Sequence, residues 1–284
     1  MDRWGLQNDL YAQVKSGRSK VEEYLAFLKH YAGEDAYLPL VGISQNLYQL
    51  FLIMKEDKRE NISAIGKAFL EPLLSTIGYD PDPAETHAIS ILRDQLLLSA
   101  VLYGVDEAIQ FSKAKLSALM NGQFAHPDIM KSLMQIGALT GGRQVFDWLT
   151  NRLHISESEH ERLNILTALG SFKEKELIEK AQRFMLDKVP SRNKFIPICA
   201  LGANPFATSL MWQWYSANLT ELEQLHPIHY ERVIAAIVPY SGLGREQEVA
   251  AFFDDYLSRN KSIKEVVNLS LEKLTIHAKM RSQK

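Results

Sequence analysis

The sequence predicts an all-α protein, and three observations carry that prediction. Apolar residues recur with a period near 3.6, strand-like alternation is scarce, and helix start and stop signals follow one another from end to end. In a capping box, a Ser or Thr accepts a backbone N–H three residues on while a Glu there reaches back to the cap. Five such patterns occur in the 284 residues.

The first helix, 3–16, stops at Gly17, where a left-handed residue is wanted. Ser19 and Glu22 open a second, 19–32, with Val21, Tyr24, Leu25 and Leu28 on one face and Gly33 beyond it. Segments 35–55 and 61–77 follow, the latter closed by Gly78. Asp82-Pro83-Ala84-Glu85 sets a proline at a first helical position, where its missing N–H would be unpaired anyway, and opens 84–103. From Ile89 to Tyr103 that helix is apolar nearly all round, so it should be an inner helix covered on two sides. Helix 106–121 ends at Gly122, and His126-Pro127 opens 127–139. Gly141-Gly142-Arg143 reads as a two-glycine break beside 141–152. Ser156 and Glu159 open 157–169, with Ile165, Leu166 and Leu169 as its stripe and Gly170 as its stop. Ser171 with Glu174 opens 173–187; segments 192–201 and 205–218 follow, and Thr220 with Glu223 opens 221–238. The last two are 245–258, carrying Val249, Phe252, Phe253 and Tyr256, and 262–281, opened by Ser262 and Glu265.

Fifteen short helices with tight turns and no sheet do not close economically around one core. The expected solution is a right-handed superhelix, an α-solenoid of antiparallel helix pairs of HEAT or armadillo type with a concave face. No fixed-period repeat is evident, so the solenoid is a degenerate one. No Gly/Ser/Pro-rich linker or charge run marks a boundary, which makes 1–284 a single helical domain.

Composition excludes several functions. With 32 Lys+Arg against 34 Asp+Glu, a net charge of -2 and no basic block, the chain lacks the clustered cationic face that nucleic acid requires. The longest apolar stretch, Leu96 to Val105, is far short of the roughly 18 residues that span a bilayer, and residues 1–10 show no signal-peptide pattern. A single cysteine, Cys199, points to a reducing, cytoplasmic setting.

The catalytic motifs are missing too. None of the eight histidines completes H-E-x-x-H: His160-Glu161 begins like one, but Asn164 stands at the second histidine position. His226-Pro227-Ile228-His229 has a ligand-like spacing without a third ligand tied to it, and surface histidines are the favoured reading. Cys199 reads as a small apolar residue on a buried face, and Trp148, Trp212 and Trp214 as packing ridges. Sequons at Asn61, Asn218, Asn260 and Asn268 are mostly explained by helix capping.

Several blocks are familiar when taken together. Asp2-Arg3-Trp4-Gly5-Leu6-Gln7-Asn8-Asp9 with Ser16-Gly17, and Leu92-Arg93-Asp94-Gln95-Leu96-Leu97-Leu98-Ser99-Ala100, are two of them. Glu161-Arg162 to Ala168-Leu169-Gly170, Asn204-Pro205 with Leu210-Met211-Trp212, Asn218-Leu219 with Leu222, and Glu248-Val249 with Phe252-Phe253 follow in order. The set resembles the helical C-terminal domain of gluzincin zinc aminopeptidases of the endoplasmic-reticulum, puromycin-sensitive and tricorn-interacting-factor type. The likeness covers nearly the whole chain. Leu269 to Lys284 departs from it by lacking the N-x-x-W element usual in the final helix.

The resemblance implies a substrate-enclosing domain that forms a peptide-binding bowl over a catalytic domain. Zinc, the H-E-x-x-H helix and the G-x-M-E-N amine anchor would belong to that thermolysin-like domain of the same parent chain. This chain would then be an excised C-terminal domain with an added or fortuitous Met1, holding no metal and no catalytic residue, and inactive alone. Its partners would be the catalytic domain and peptide substrates, with neither nucleic acid nor membrane. Cations on the concave face would meet the peptide carboxylate through a planar, paired donor, and Arg93 and Arg245 are the candidates. The alternative is a free-standing HEAT-like adaptor that binds a protein partner along its groove.

Overall fold

The structure is a computed structural model that describes residues 2–283. Met1, on which the reading of an added start residue falls, and Lys284 lie outside the described residues. Helix accounts for 79% of the chain, and the described residues contain no strand. The helices are α1 (Arg3–Ser16), α2 (Val21–Phe27), α3 (Tyr37–Ile53), α4 (Glu56–Ile77), α5 (His87–Leu102), α6 (Asp106–Met120), α7 (Pro127–Thr140) and α8 (Gly142–Ile155). They continue as α9 (Glu159–Leu169), α10 (Lys175–Asp187), α11 (Phe195–Gly202), α12 (Thr208–Ala217), α13 (Leu219–Leu222), α14 (Pro227–Ser241), α15 (Glu246–Arg259) and α16 (Lys264–Ser282).

Helix starts moved more than helix stops. The caps form one to three residues beyond the boxes expected at Ser19, Ser156 and Ser171: α2 is capped at Lys20, α9 at Ser158 and α10 at Glu174. Ser158 Oγ accepts the Glu161 N–H at 3.3 Å. Pro83 does not open a helix. Asp82 Oδ1 accepts the Ala84 N–H at 2.7 Å, an Asx-type turn that competes with the first helical turn, and α5 starts at His87. Helix α4 begins five residues earlier than its apolar period suggests, because its first turn is polar and carries Glu56 and Asp57, which favour a helix N-terminus.

Two compact units make up the chain: 1–137 with 283–284, and 138–282. The division falls inside α7, which explains why no linker composition marks it.

In the first unit α1 packs on α3 and α3 on α5, while α2 lies against α1, α4 against α3 and α5, and α6 against α5. Helix α5 is buried on several sides, as its apolar run requires, with Leu92, Leu96, Leu97 and Ala100 at most 3% exposed. Each such leucine contributes about 1.5–3 kcal/mol of transfer free energy.

The second unit repeats this arrangement. Helices α9, α11, α14 and α16 form a row of successive neighbours, and α8, α10, α12 and α15 pack against α9, α11, α14 and α16 respectively. Glycines set the spacing of the row. A methyl on Gly170 would lie 2.4 Å from Ala200 Cβ and 2.8 Å from Pro197 O, and one on Gly202 would lie 2.8 Å from Ala236 O. One on Gly242 would meet Leu274 at 2.6 Å. Only residues without Cβ allow these backbones to approach so closely. Among the described residues no single helix is long and apolar enough to cross a membrane.

Candidate functional site

Arg93 is not a surface cation. It sits on α5 with its side chain 0% exposed, and four of its N–H groups are committed within its own unit. Nη1 and Nη2 donate to the two Glu85 carboxylate oxygens at 2.6 and 2.5 Å. Nη2 also donates to Ile77 O, and Nε to Gly78 O, each at 2.8 Å. Ile77 and Gly78 are the last residue and the C-cap of α4, whose carbonyls have no intrahelical partner and carry the negative end of the helix dipole. A planar guanidinium matches that set of acceptors. The Arg93 hydrogen bond holds the Glu85 carboxyl below the usual range. Arg93 is therefore an internal clamp joining α4, the 78–86 turn and α5, and it has no face to offer a peptide. The expectation that it is a concave-face cation is corrected by its enclosure.

Arg245 lies in the second unit. It is half-buried and caps α15: its carbonyl accepts the Val249 N–H at 3.1 Å, and its own N–H donates to Gly242 O at 3.0 Å. Gly244, at φ +85°, makes the turn that presents it. No ion pair to the Arg245 side chain occurs among the described residues.

The two histidine motifs lie largely at the surface, with His160 and His226 exposed and His229 half-buried. Burial alone would raise the Glu161 carboxyl, but the Arg152 guanidinium at 2.7 Å and the Ser156 hydroxyl outweigh it and lower it. The acid of His160-Glu161 thus serves the α8–α9 corner. Among the described residues no group of three or more His, Cys, Asp or Glu side chains is placed to hold a metal ion. The zinc that the resemblance implies for a catalytic part does not fit the residues here, and no step is assigned to it.

Between α11 and α14 the structure joins His226, His229 and Cys199, each weighed in the sequence, to two residues the sequence reading did not single out, Phe195 and Arg232. His229 stacks on Phe195, with ring centroids 4.0 Å apart and planes 18° apart, and the Arg232 guanidinium lies 5.4 Å from the centre of the same Phe195 ring. His226, at the N-cap of α14, has its ring 5.6 Å from that of His229. Cys199 stands one turn beyond Phe195, where burial pushes its thiol up to about 11 against the opposing charge of Arg232. The i, i+3 spacing of His229 and Arg232 was the available signal, since it puts the two on one face of α14.

Comparison with known proteins agrees with the fold. The chain is 23% identical over 287 residues to Aminopeptidase 2 of Candida albicans, covering 98% of this chain and 31% of that protein. It is 25% identical over 293 residues to Aminopeptidase M1-D of Oryza sativa subsp. japonica, covering 98% of this chain and 33% of that protein. With the human Endoplasmic reticulum aminopeptidase 1 it shares 25% identity over 288 residues, or 95% and 30% of the two chains. It thus spans about a third of the length of these curated relatives and matches their C-terminal part. The family model described as the ERAP1-like C-terminal domain matches residues 1–276, and the chain belongs to that family.

Proposed function

We propose that this chain supplies the peptide-enclosing part of a zinc aminopeptidase, with bond cleavage carried out by a catalytic domain outside it. The observation that carries this reading is one of coverage: the family match takes in nearly the whole chain, while the aminopeptidase relatives are about three times longer.

On this reading the row of alternate helices in each unit is a stretch of HEAT-like solenoid, and its open face is where an extended peptide lies. Arg245, presented by the Gly244 turn, is one cation available to such a peptide. The domain's contribution is positional: it holds the far end of the peptide so that the amino end reaches the catalytic part at high effective concentration.

Isothermal titration of the chain separates this reading from that of an adaptor for folded proteins. An unstructured peptide of about ten residues should bind, and a folded protein of similar charge should not. Binding of the folded protein alone would overturn the proposal.

A further inference from the structure

The first unit takes in one residue from the far end of the sequence. Gln283 belongs to it, and its side-chain Oε1 accepts the Val21 N–H at 2.9 Å across a sequence separation of 262 residues. Its backbone carbonyl accepts Lys58 Nζ at 2.7 Å, and its Nε2 donates to Ser19 O at 3.5 Å. One residue is thus gripped by the α1–α2 turn, the first turn of α2 and the first turn of α4.

The residues around this contact explain why it is needed. Helix α2 has only seven residues, a length at which an isolated helix is marginal. Its first N–H groups have no intrahelical partner, and Lys20 at the N-cap has no side-chain oxygen to offer them. Ser19, the residue expected to open this helix, turns its hydroxyl to Gln13 Oε1 at 3.3 Å instead. The Gln283 oxygen fills that place. Lys58 sets its position, since the same ammonium also holds the Glu22 carboxylate at 3.1 Å and so ties residue 283 to α2.

Behind the start of α2 lies a polar network with little slack. Tyr24 is fully buried; its hydroxyl donates to Gln7 Oε1 at 3.0 Å, and Asn46 Nδ2 lies 3.0 Å from each of those two oxygens. Gln7 Nε2 is already buried without a partner, so a shift of Tyr24 leaves a further polar group unmatched in the core.

We infer that Gln283 is a conformational strap: its seat on the α1–α2 turn and Lys58 sets the order of α2, and its withdrawal loosens α2 from the first turn inward to Tyr24. The seat is within reach of solvent. Gln283 is half-buried, and the Lys58 and Glu22 side chains are 33% and 48% exposed. Hydrogen bonds so placed are among the first to open in a native protein, well before those of the core.

Amide hydrogen exchange followed by NMR on the full chain tests the strap at Val21 and Tyr24, with the fully buried Leu50 of α3 as the core reference. Gln283→Ala should speed exchange at Val21 by roughly 5- to 10-fold, the usual effect of losing a helix cap, with a smaller rise at Tyr24 and none at Leu50. Gln283→Glu keeps an acceptor in the same place and should keep Val21 protected, while Lys58→Met should release it as Gln283→Ala does. Unchanged exchange at Val21 in Gln283→Ala would overturn the inference, and so would an equal rise at Leu50, which marks loosening of the whole unit. A Gln283→Glu chain as unprotected as Gln283→Ala would show that the side-chain oxygen does not hold α2, and protection that survives Lys58→Met would overturn the part given to Lys58.

Discussion

Arg93 and Glu85 meet in a two-pronged pair, with Nη1–Oε1 at 2.6 Å and Nη2–Oε2 at 2.5 Å, the arginine side chain fully enclosed and the glutamate nearly so. The same guanidinium ties down the end of α4 through Ile77 O and Gly78 O. Removing one partner strands the other. Glu85→Gln should therefore destabilise the chain by about 3–5 kcal/mol, as is typical for a broken buried pair. Glu85→Gln with Arg93→Met should cost less than the two single changes added together. Urea denaturation checks both, and additive costs would show that the two residues do not act as a unit.

That pair also gives the chain an acid limit. Its partner Arg93 holds the Glu85 carboxyl below the range of an unfolded glutamate, about 4.3. A depressed carboxyl contributes stability that is complete above the unfolded value and is lost as pH falls through the folded one. The urea midpoint should thus fall below about pH 4.3 in the natural chain, and Glu85→Gln should flatten that part of the curve. An unchanged slope in the variant would remove Glu85 from the account.

Helix spacing in the second unit depends on glycine. An alanine at Gly170 meets Ala200 Cβ and the backbone at Leu201 N and Pro197 O, and one at Gly202 meets Ala236 O. Backbone atoms give way poorly, so Gly170→Ala and Gly202→Ala should each cost about 1–3 kcal/mol. Thermal melts that move by less than a degree would show that the row tolerates wider spacing.

A buried hydroxyl chain joins four elements of the same unit. Tyr230 is hydrogen-bonded to Tyr215 at 2.8 Å and donates to Tyr256 at 3.2 Å, which in turn donates to Glu223 at 2.6 Å. Burial raises the pKa of all three tyrosines, so they stay protonated as the chain requires. Tyr230→Phe keeps the ring and leaves the Tyr215 hydroxyl without its partner, a loss of about 1–3 kcal/mol in urea denaturation. A neutral outcome would mean that water replaces the link.

The helical class was legible because it rests on local signals. Gly17, Gly33, Gly78, Gly104 and Gly122 all adopt the positive φ that their place after a periodic stretch calls for. Gly170 does not; it is a glycine because α11 presses on it, and that contact comes from residues about 30 positions away. The packing glycines Gly170, Gly202 and Gly242 mark successive members of one row, a repeat too degenerate for composition or fixed spacing to reveal. Arg93 was misplaced for the same reason, since its burial depends on carbonyls 15 and 16 residues upstream rather than on its own helix face. Arg232 was overlooked because His226 and His229 beside it drew attention as a metal-like pair, and its place over the Phe195 ring emerges only when α11 and α14 come together.

The central claim, that this chain holds peptides and leaves their cleavage to another domain, is tested most directly by native mass spectrometry of the chain with zinc and an unstructured decapeptide. A one-to-one complex carrying the intact peptide is the predicted result. Peptide shortened from its amino end, in a reaction that a chelator stops, would contradict it.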